Sequence, residues 1–373
     1  MHVNFVMLST GRTGGHRVIF ELANALSKRG YRVSITALGG DHRWFPLNVD
    51  VNHVANIEIA EIPNRVLRKI RSYVPLGGIN LLSLDYLIRR LRLPAKIDLV
   101  EPLSRNLPDS DVAVATFYPT AFAVHRHQGA TGAYFLQHYE PLWSSDTYRN
   151  REIVETYSLP LHKIVNSSWL RKIMNTRHRC DALGPVTPGV DQSIFYERDL
   201  PKKEAKTILS LGKATPWKGL NDLFEALSLI RQDIPKLRLV LYGSESGTAR
   251  MSPVPCEYVA YPSDYVLATM YCRADVVVIP SWFESSPLPP LEAMACGTPV
   301  VTTRFGTEDY CVDGKNSLVV EPRNSVALAE AIQRVLTDQD LAESLRKSGI
   351  ETSRIFTWEQ AAAKFEKTLK ELR

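Results

Sequence analysis

The sequence predicts an α/β protein of two doubly wound domains. Three observations carry this: strand-like apolar runs alternate with helical patterns along the chain, the alternation restarts beyond a Pro/Gly-rich passage near residue 184, and 373 residues suffice for two ordinary domains. Alternation of this kind implies parallel sheets, since each strand needs a crossover before its parallel neighbour. With 45% hydrophobic and 23% charged residues, the composition is that of a globular protein.

In the first half, strands are expected at 3–8, 33–38, 112–116, 133–137 and 164–166, each a short apolar run bounded by polar or turn residues. Gly14 and Gly15 fall in the loop after the first strand, where missing side chains let backbone approach a ligand. A helix beginning near His16 places Ile19, Leu22, Ala23 and Leu26 on one face and stops at Gly30. In the second half, strands at 207–211, 237–242, 258–260, 276–279, 300–302 and 318–320 alternate with helices such as 220–229 and 326–336. Leu183-Gly-Pro-Val-Thr-Pro-Gly-Val is a natural linker, dividing the chain into 1–184 and 185–356, and an amphipathic helix closes the chain at 358–372.

Composition narrows the function. No apolar run approaches the roughly 18 residues that suggest a membrane span. The amino terminus Met1-His-Val-Asn-Phe-Val-Met-Leu enters a strand directly, so a cytoplasmic location is expected. The five cysteines, at 180, 256, 272, 296 and 311, form no C-x-x-C pair, which points to neither a disulfide framework nor a zinc site. The net charge of +5 is uneven: residues 64–96 carry eight cations, from Arg65 to Lys96, against Asp85 alone, interleaved with leucine, isoleucine and tyrosine. This patch reads either as attraction to an anionic bilayer at the inner face of the plasma membrane or as two surface helices with solvated charges. No nucleic-acid partner is expected.

The chemistry concentrates at residues 275–301. Asp275-Val-Val-Val-Ile-Pro280 reads as a buried strand, followed by a loop with Ser285 and Ser286 as possible caps and prolines at 287, 289 and 290 suited to a first helical turn. Glu284 is left in the loop, while Glu292 rides on a helix ending near Gly297. The site would lie beyond the carboxyl end of a parallel strand, with a helix amino terminus offering N–H groups to an anion. Lys213 and Lys218 follow another strand in the same way, as does His138. Asp109-Ser-Asp111 and His125-Arg-His127 are short coincidences with metal motifs and lack a third ligand nearby in sequence. No G-x-G-x-x-G follows a strand, which disfavours a dinucleotide enzyme.

Glu284 and Glu292, with the residues between and after them, closely resemble the E-x7-E motif of retaining glycosyltransferases of the GT-B fold, specifically the GT4 family or glycosyl transferases group 1. The resemblance extends to Thr13-Gly-Gly-His16, to Asn166-Ser167-Ser168 with Pro188-Gly189-Val190-Asp191 and Phe195, and to Leu211-Gly-Lys-Ala-Thr-Pro-Trp-Lys-Gly219, so family-like segments run from residue 1 to about 360. It implies two Rossmann-like domains facing a central cleft: 1–184 binding the acceptor and 185–356 binding a nucleotide-sugar donor, with the terminal helix, about 357–373, crossing back to the first.

Carried onto this chain, the family pattern gives Glu292 the ribose hydroxyls and Glu284 the hydroxyls of the donor sugar, since a carboxylate offers two acceptor oxygens to a diol. Lys213 and Lys218 would neutralise the departing diphosphate, and Gly14 and Gly15 would approach phosphate or sugar. His138 would stand beside the reacting sugar. The backbone around Val259 would hold the base, Ser286 and Leu288 would donate backbone N–H groups to the donor, and Tyr139 and Glu140 would shape the acceptor site. Two departures stand out. Lys213 replaces the usual arginine and so lacks its planar fork, and Ser285-Ser286-Pro287 replaces a glycine-rich turn, with no N–H at Pro287. The implied activity is retaining transfer to a hydroxyl of a glycan, glycolipid or small molecule, in surface-polysaccharide or glycolipid biosynthesis. It would proceed by a front-face mechanism without metal or other cofactor. A GT-B nucleotide-sugar epimerase and a non-catalytic nucleotide-sugar-binding subunit are the alternative readings.

Overall fold

The computed structural model describes residues 1–54, 98–143, 145–201, 204–234 and 236–372; the basic segment 64–96 lies outside them. Two six-stranded parallel sheets form the frame. The first contains β1 (His2–Ser9), β2 (Arg32–Gly39), β3 (Asp50–His53), β4 (Val112–Ala115), β5 (Thr131–Leu136) and β6 (His162–Val165), in the order β3-β2-β1-β4-β5-β6. The second contains β7 (Thr207–Leu211), β8 (Arg238–Gly243), β9 (Cys256–Ala260), β10 (Val276–Ile279), β11 (Val300–Thr303) and β12 (Leu318–Val320), in the order β12-β11-β10-β7-β8-β9. Both orders reverse beside the first strand of the sheet. The β1/β4 and β7/β10 junctions are therefore the switch points where such sheets open a crevice at their carboxyl ends.

The helices that follow these strands are α1 (Gly14–Lys28), α2 (Glu101–Arg105), α3 (Tyr118–Arg126), α4 (Thr147–Ser158), α5 (Ser168–Arg177), α6 (Leu220–Ile230), α7 (Asp264–Arg273), α8 (Leu288–Ala295), α9 (Ser325–Thr337), α10 (Gln339–Ile355) and α11 (Trp358–Glu371). Among the described residues, no helix is long and apolar enough to cross a membrane. The expected strands all form, with ends shifted by one or two residues. The sequence reading missed β3, because Asp-Val-Asn-His is a four-residue edge strand without an apolar run and with half its side chains exposed.

Two local readings need correction. Helix α1 starts at Gly14, where the Thr13 side chain caps the His16 N–H, so Gly14 and Gly15 occupy the first turn and not a loop. Helix α8 starts at Leu288 with Pro287 at its N-cap and no side-chain cap, so neither Ser285 nor Ser286 caps it. Both serines are instead buried in the preceding turn.

Helix α11 returns to the first sheet. Its Phe365 ring packs 5.8 Å from Phe5 and 5.3 Å from Phe135, and Arg29, the C-cap of α1, pairs with Glu359 and Glu366. The chain thus folds its last helix into the core laid down by its first strand. Truncation by Phe365→Ala should cost about 3–5 kcal/mol of stability, as for other buried aromatics, measured by urea unfolding; a loss below about 1 kcal/mol would show that this docking contributes little.

Candidate active site

Glu284 lies in the turn between β10 and α8, and tight backbone contacts fix it from two sides. Its N–H donates to the Phe305 carbonyl at 2.9 Å, and the Ser286 N–H donates to the Gly306 carbonyl at 2.8 Å. Gly306 has φ 89°, and a Cβ there would fall 2.0 Å from the Glu284 carbonyl oxygen. Gly219, at φ 66°, ends the short turn Pro216–Lys218 so closely against β10 that a Cβ would lie 1.9 Å from the Pro280 carbonyl oxygen. Glycine is required at both places. The result brings Lys218 Nζ to 2.6 Å from Glu284 Oε1.

His138 completes the cluster from the first sheet. It follows β5, its Nε2 is 3.8 Å from Glu284 Oε2, and its ring lies 4.7 Å from that of Trp143. The electrostatics follow from burial. Desolvation would push the Glu284 carboxyl up, but the attraction of Lys218 and His138, with hydrogen bonds from Lys218 and Ser281, outweighs it and holds the group below its ordinary range. Burial drives His138 down to about 4 against the pull of Glu284, helped by repulsion from Lys218 and Lys213, so the ring is neutral near pH 7. Burial, then repulsion from Lys218, also lowers the Lys213 ammonium. His138 Nδ1 and Ser286 Oγ are buried without a hydrogen-bond partner. Native interiors rarely leave such atoms unpaired except where a ligand or water belongs.

Glu292 lies on α8, buried, with Oε2 accepting from Tyr271 Oη at 3.0 Å. Burial raises its carboxyl, and Arg17 and the Tyr271 hydrogen bond counter only part of that. Arg17 is a residue the sequence reading missed. Standing two positions after Gly15 on α1, it crosses to the second domain and pairs with Asp264 at 2.8 Å. Arg12 reaches across the same side to the carbonyls of Tyr261 and Pro262. Farther along the cleft, Asn166 Nδ2 donates to the Ser285 carbonyl at 2.9 Å, Ser167 and Ser285 hydroxyls meet at 2.8 Å, and the Ser168 N–H donates to Asp309 at 2.8 Å. The two domains are therefore held together on both flanks of Glu284.

Other expected site residues are placed differently. Glu140 does not present its carboxylate to an acceptor. It is 2% exposed, with Tyr134 Oη donating at 2.8 Å and the Tyr118 N–H at 3.4 Å, a buried structural role. Tyr139 is also largely buried, its hydroxyl 3.0 Å from His178 Nε2. The Ser286 N–H is consumed by Gly306, so of the two expected backbone donors only Leu288 is outside that turn. Pro289 and Pro290 leave the first turn of α8 with just the Leu288 and Leu291 N–H groups, fewer than an ordinary helix start offers. Val259 belongs to the edge strand β9, paired with Tyr242, and not to a loop. Asp111 accepts from the His2 N–H at 2.6 Å at the amino end of β1, the end of the sheet away from the cleft. Among the described residues, no three His, Cys, Asp or Glu side chains converge as metal ligands.

The Glu140 assignment is testable through stability. Burial pushes its carboxyl up to about 8, partly offset by the Tyr134 and Tyr118 hydrogen bonds. A carboxyl raised above its unfolded value contributes stability that is complete below that value and is lost as pH rises toward about 8. Glu140→Gln, which keeps the shape without the ionisation, should flatten the fall in thermal midpoint between pH 5 and 8 by melting experiments. An unchanged slope would overturn the assignment.

Known proteins resemble this chain in sequence and in fold. Residues 192–352 match the family model described as glycosyl transferases group 1. The chain is 26% identical to a D-inositol 3-phosphate glycosyltransferase of Thermomonospora curvata, over 94% of this chain and 89% of that protein. It is 34% identical to the enzyme of the same name from Geodermatophilus obscurus over 47% of this chain, a match that spans 44% of that relative. Among solved structures, Anabaena HepE in complex with UDP-glucose superposes with a TM-score of 0.72 over the whole of both chains at 17% identity, a likeness of fold. Residues 192–352 thus resemble the glycosyl transferases group 1, the fold of the whole chain is the GT-B fold of its structural neighbours, and together these matches support a glycosyltransferase enzyme.

Proposed function

We propose that the protein transfers a sugar from a nucleotide-diphosphate sugar to a hydroxyl acceptor with retention of anomeric configuration. The observation that carries this is the Lys218–Glu284–His138 cluster, where buried polar atoms converge at the carboxyl ends of both sheets. Support comes from HepE, solved with UDP-glucose, and from the relatives named for D-inositol 3-phosphate. In this reading residues 185–356 take the donor, while 1–184 with the terminal helix 357–373 take the acceptor.

Lys218 spends one of its three N–H donors on Glu284 and keeps two for the departing diphosphate, beside Lys213. Glu292 receives the ribose, Gly14 and Gly15 admit the donor near Gln137, and the Ser286 hydroxyl takes over from its engaged N–H as a ligand contact. Val259, at the end of β9, lies beside the base. Glu284 and the neutral His138 flank the sugar, whose developing positive charge the carboxylate stabilises. Among the described residues, no second carboxylate is placed as a nucleophile. The bond from the anomeric carbon to phosphate oxygen breaks as the acceptor oxygen bonds to the same face, and the acceptor proton passes to the leaving phosphate. This reaction needs no metal or cofactor. Surface-polysaccharide or glycolipid synthesis at the inner face of the plasma membrane is the setting that the basic residues 64–96 suit, an argument from sequence alone.

Nucleotide release from UDP-, GDP- and dTDP-sugars in EDTA is the direct test. One donor should turn over. Lys218→Ala should lower kcat about 10²- to 10³-fold, as loss of a transition-state charge contact does, and Glu292→Ala should raise the donor KM. Near-normal turnover by a folded Lys218→Ala protein, or donor binding without turnover across a broad acceptor panel, would overturn the proposal. The pH profile offers a second check. With His138 titrating at about 4, kcat/KM should be flat between pH 6 and 8 and fall below about pH 5 as the ring gains its proton; activity that rises on acidification contradicts the neutral-imidazole role.

A further inference from the structure

A cavity of about 1000 Å³ lies beside the cleft between α5 of the first domain and three loops of the second. It is at the upper end of the size of small-molecule sites. Trp169, Trp282, Phe283 and Phe305 are among its lining residues, and the lining holds four cations, Lys172, Arg177, Arg304 and Arg323, against Glu308 alone. Arg304 is engaged by Glu321. Among the described residues Lys172, Arg177 and Arg323 form no ion pair, and all three are exposed. Two of these guanidiniums already lie over rings, Arg323 at 3.9 Å from the Trp282 centroid and Arg177 at 6.0 Å from that of Tyr139.

The position of the cavity gives it a use. Tyr139 follows His138 directly and Phe283 directly precedes Glu284, so its lining is one residue away from each of the two groups placed around the reacting sugar. The proposed donor contacts at Lys213, Lys218 and Glu292 do not line it. We propose that this groove is the acceptor subsite and that the acceptor is an acidic glycan, its rings lying on the aromatic faces and its carboxylate or phosphate groups meeting Lys172, Arg177 and Arg323. The inference rests on the glycosyl-transfer reading of the adjoining cleft. Aromatic faces suit the C–H faces of sugar rings, and arginines laid over such faces present planar donor forks that match an oxyanion. Three unpaired cations in a short concavity suit an oligosaccharide better than the long anionic backbone of a nucleic acid.

The test is calorimetric binding of three probes to the full chain: a hyaluronan tetrasaccharide, a phosphorylated maltotetraose and neutral maltotetraose. At least one acidic probe should bind tenfold or more tightly than the neutral one. The exposed double reversal Lys172→Glu/Arg177→Glu should weaken that binding at least tenfold, and so should Trp169→Ala. Which acidic probe binds distinguishes carboxylate from phosphate. Equal binding of the neutral sugar, failure of both acidic probes, or acidic binding untouched by the double reversal would each overturn the proposal. UDP, GDP and dTDP affinities measured on the same proteins separate the two readings: wild type that binds one of these nucleotides but no acidic glycan refutes the groove alone, whereas wild type that binds none of them refutes the donor reading of the cleft.

Discussion

The buried pair between Lys218 and Glu284 is the constraint on which the site depends. A carboxylate this deeply buried carries a desolvation cost of several kcal/mol, offset only when a cation and further hydrogen bonds lie in place. Lys218 and Ser281 supply that compensation, and the neutral edge of His138 adjoins them. Each is delivered by a different strand end: the turn after β7, the loop after β10 and the loop after β5. Only a pair of parallel sheets facing one another brings those three ends to one point. The glycines at 219 and 306 exist to let the backbones close that tightly.

The same pair links electrostatics to domain arrangement. His138 belongs to the first sheet and Glu284 to the second, so the cluster is complete only while the domains are together. Asn166, Ser167 and Ser168 on one flank, and Arg12 and Arg17 on the other, hold them so. These contacts are polar, and inter-domain contacts of that kind suit relative motion. Their loss on opening would free the Ser285 and Asp309 side chains to water, while Glu284 would keep Lys218, which lies in its own domain. Closure thus adds His138 to a charge pair that the second domain has already formed.

Burial also separates neighbours in sequence into different roles. His138, Tyr139 and Glu140 are consecutive, yet the first faces Glu284, the second meets His178, and the third is sealed beneath Tyr134. A carboxylate that the sequence offers to a substrate is spent on holding the first domain together. On the other side of the chain, Phe283 and Glu284 split in the same way between the aromatic groove and the charge cluster.

The sequence by itself determined the two parallel sheets, the place of nearly every strand along the chain, the return of the final helix and the identity of the central charges. These are legible because apolar runs, glycine stops and the spacing of Glu284 from Glu292 are local, and local patterning dictates which segments become strands or helices. It did not disclose β3, whose exposed alternation is too short to register. Tertiary structure alone decided the rest. Which Glu is buried against Lys218 and which against Tyr134 depends on partners 66 and 6 residues away in space-filling contact. The Ser286 N–H was lost to Gly306 and Arg17 was recruited toward Glu292 for the same reason. A side chain's charge state and free hydrogen-bonding groups are set by whatever distant chain packs against it, and no local pattern records that.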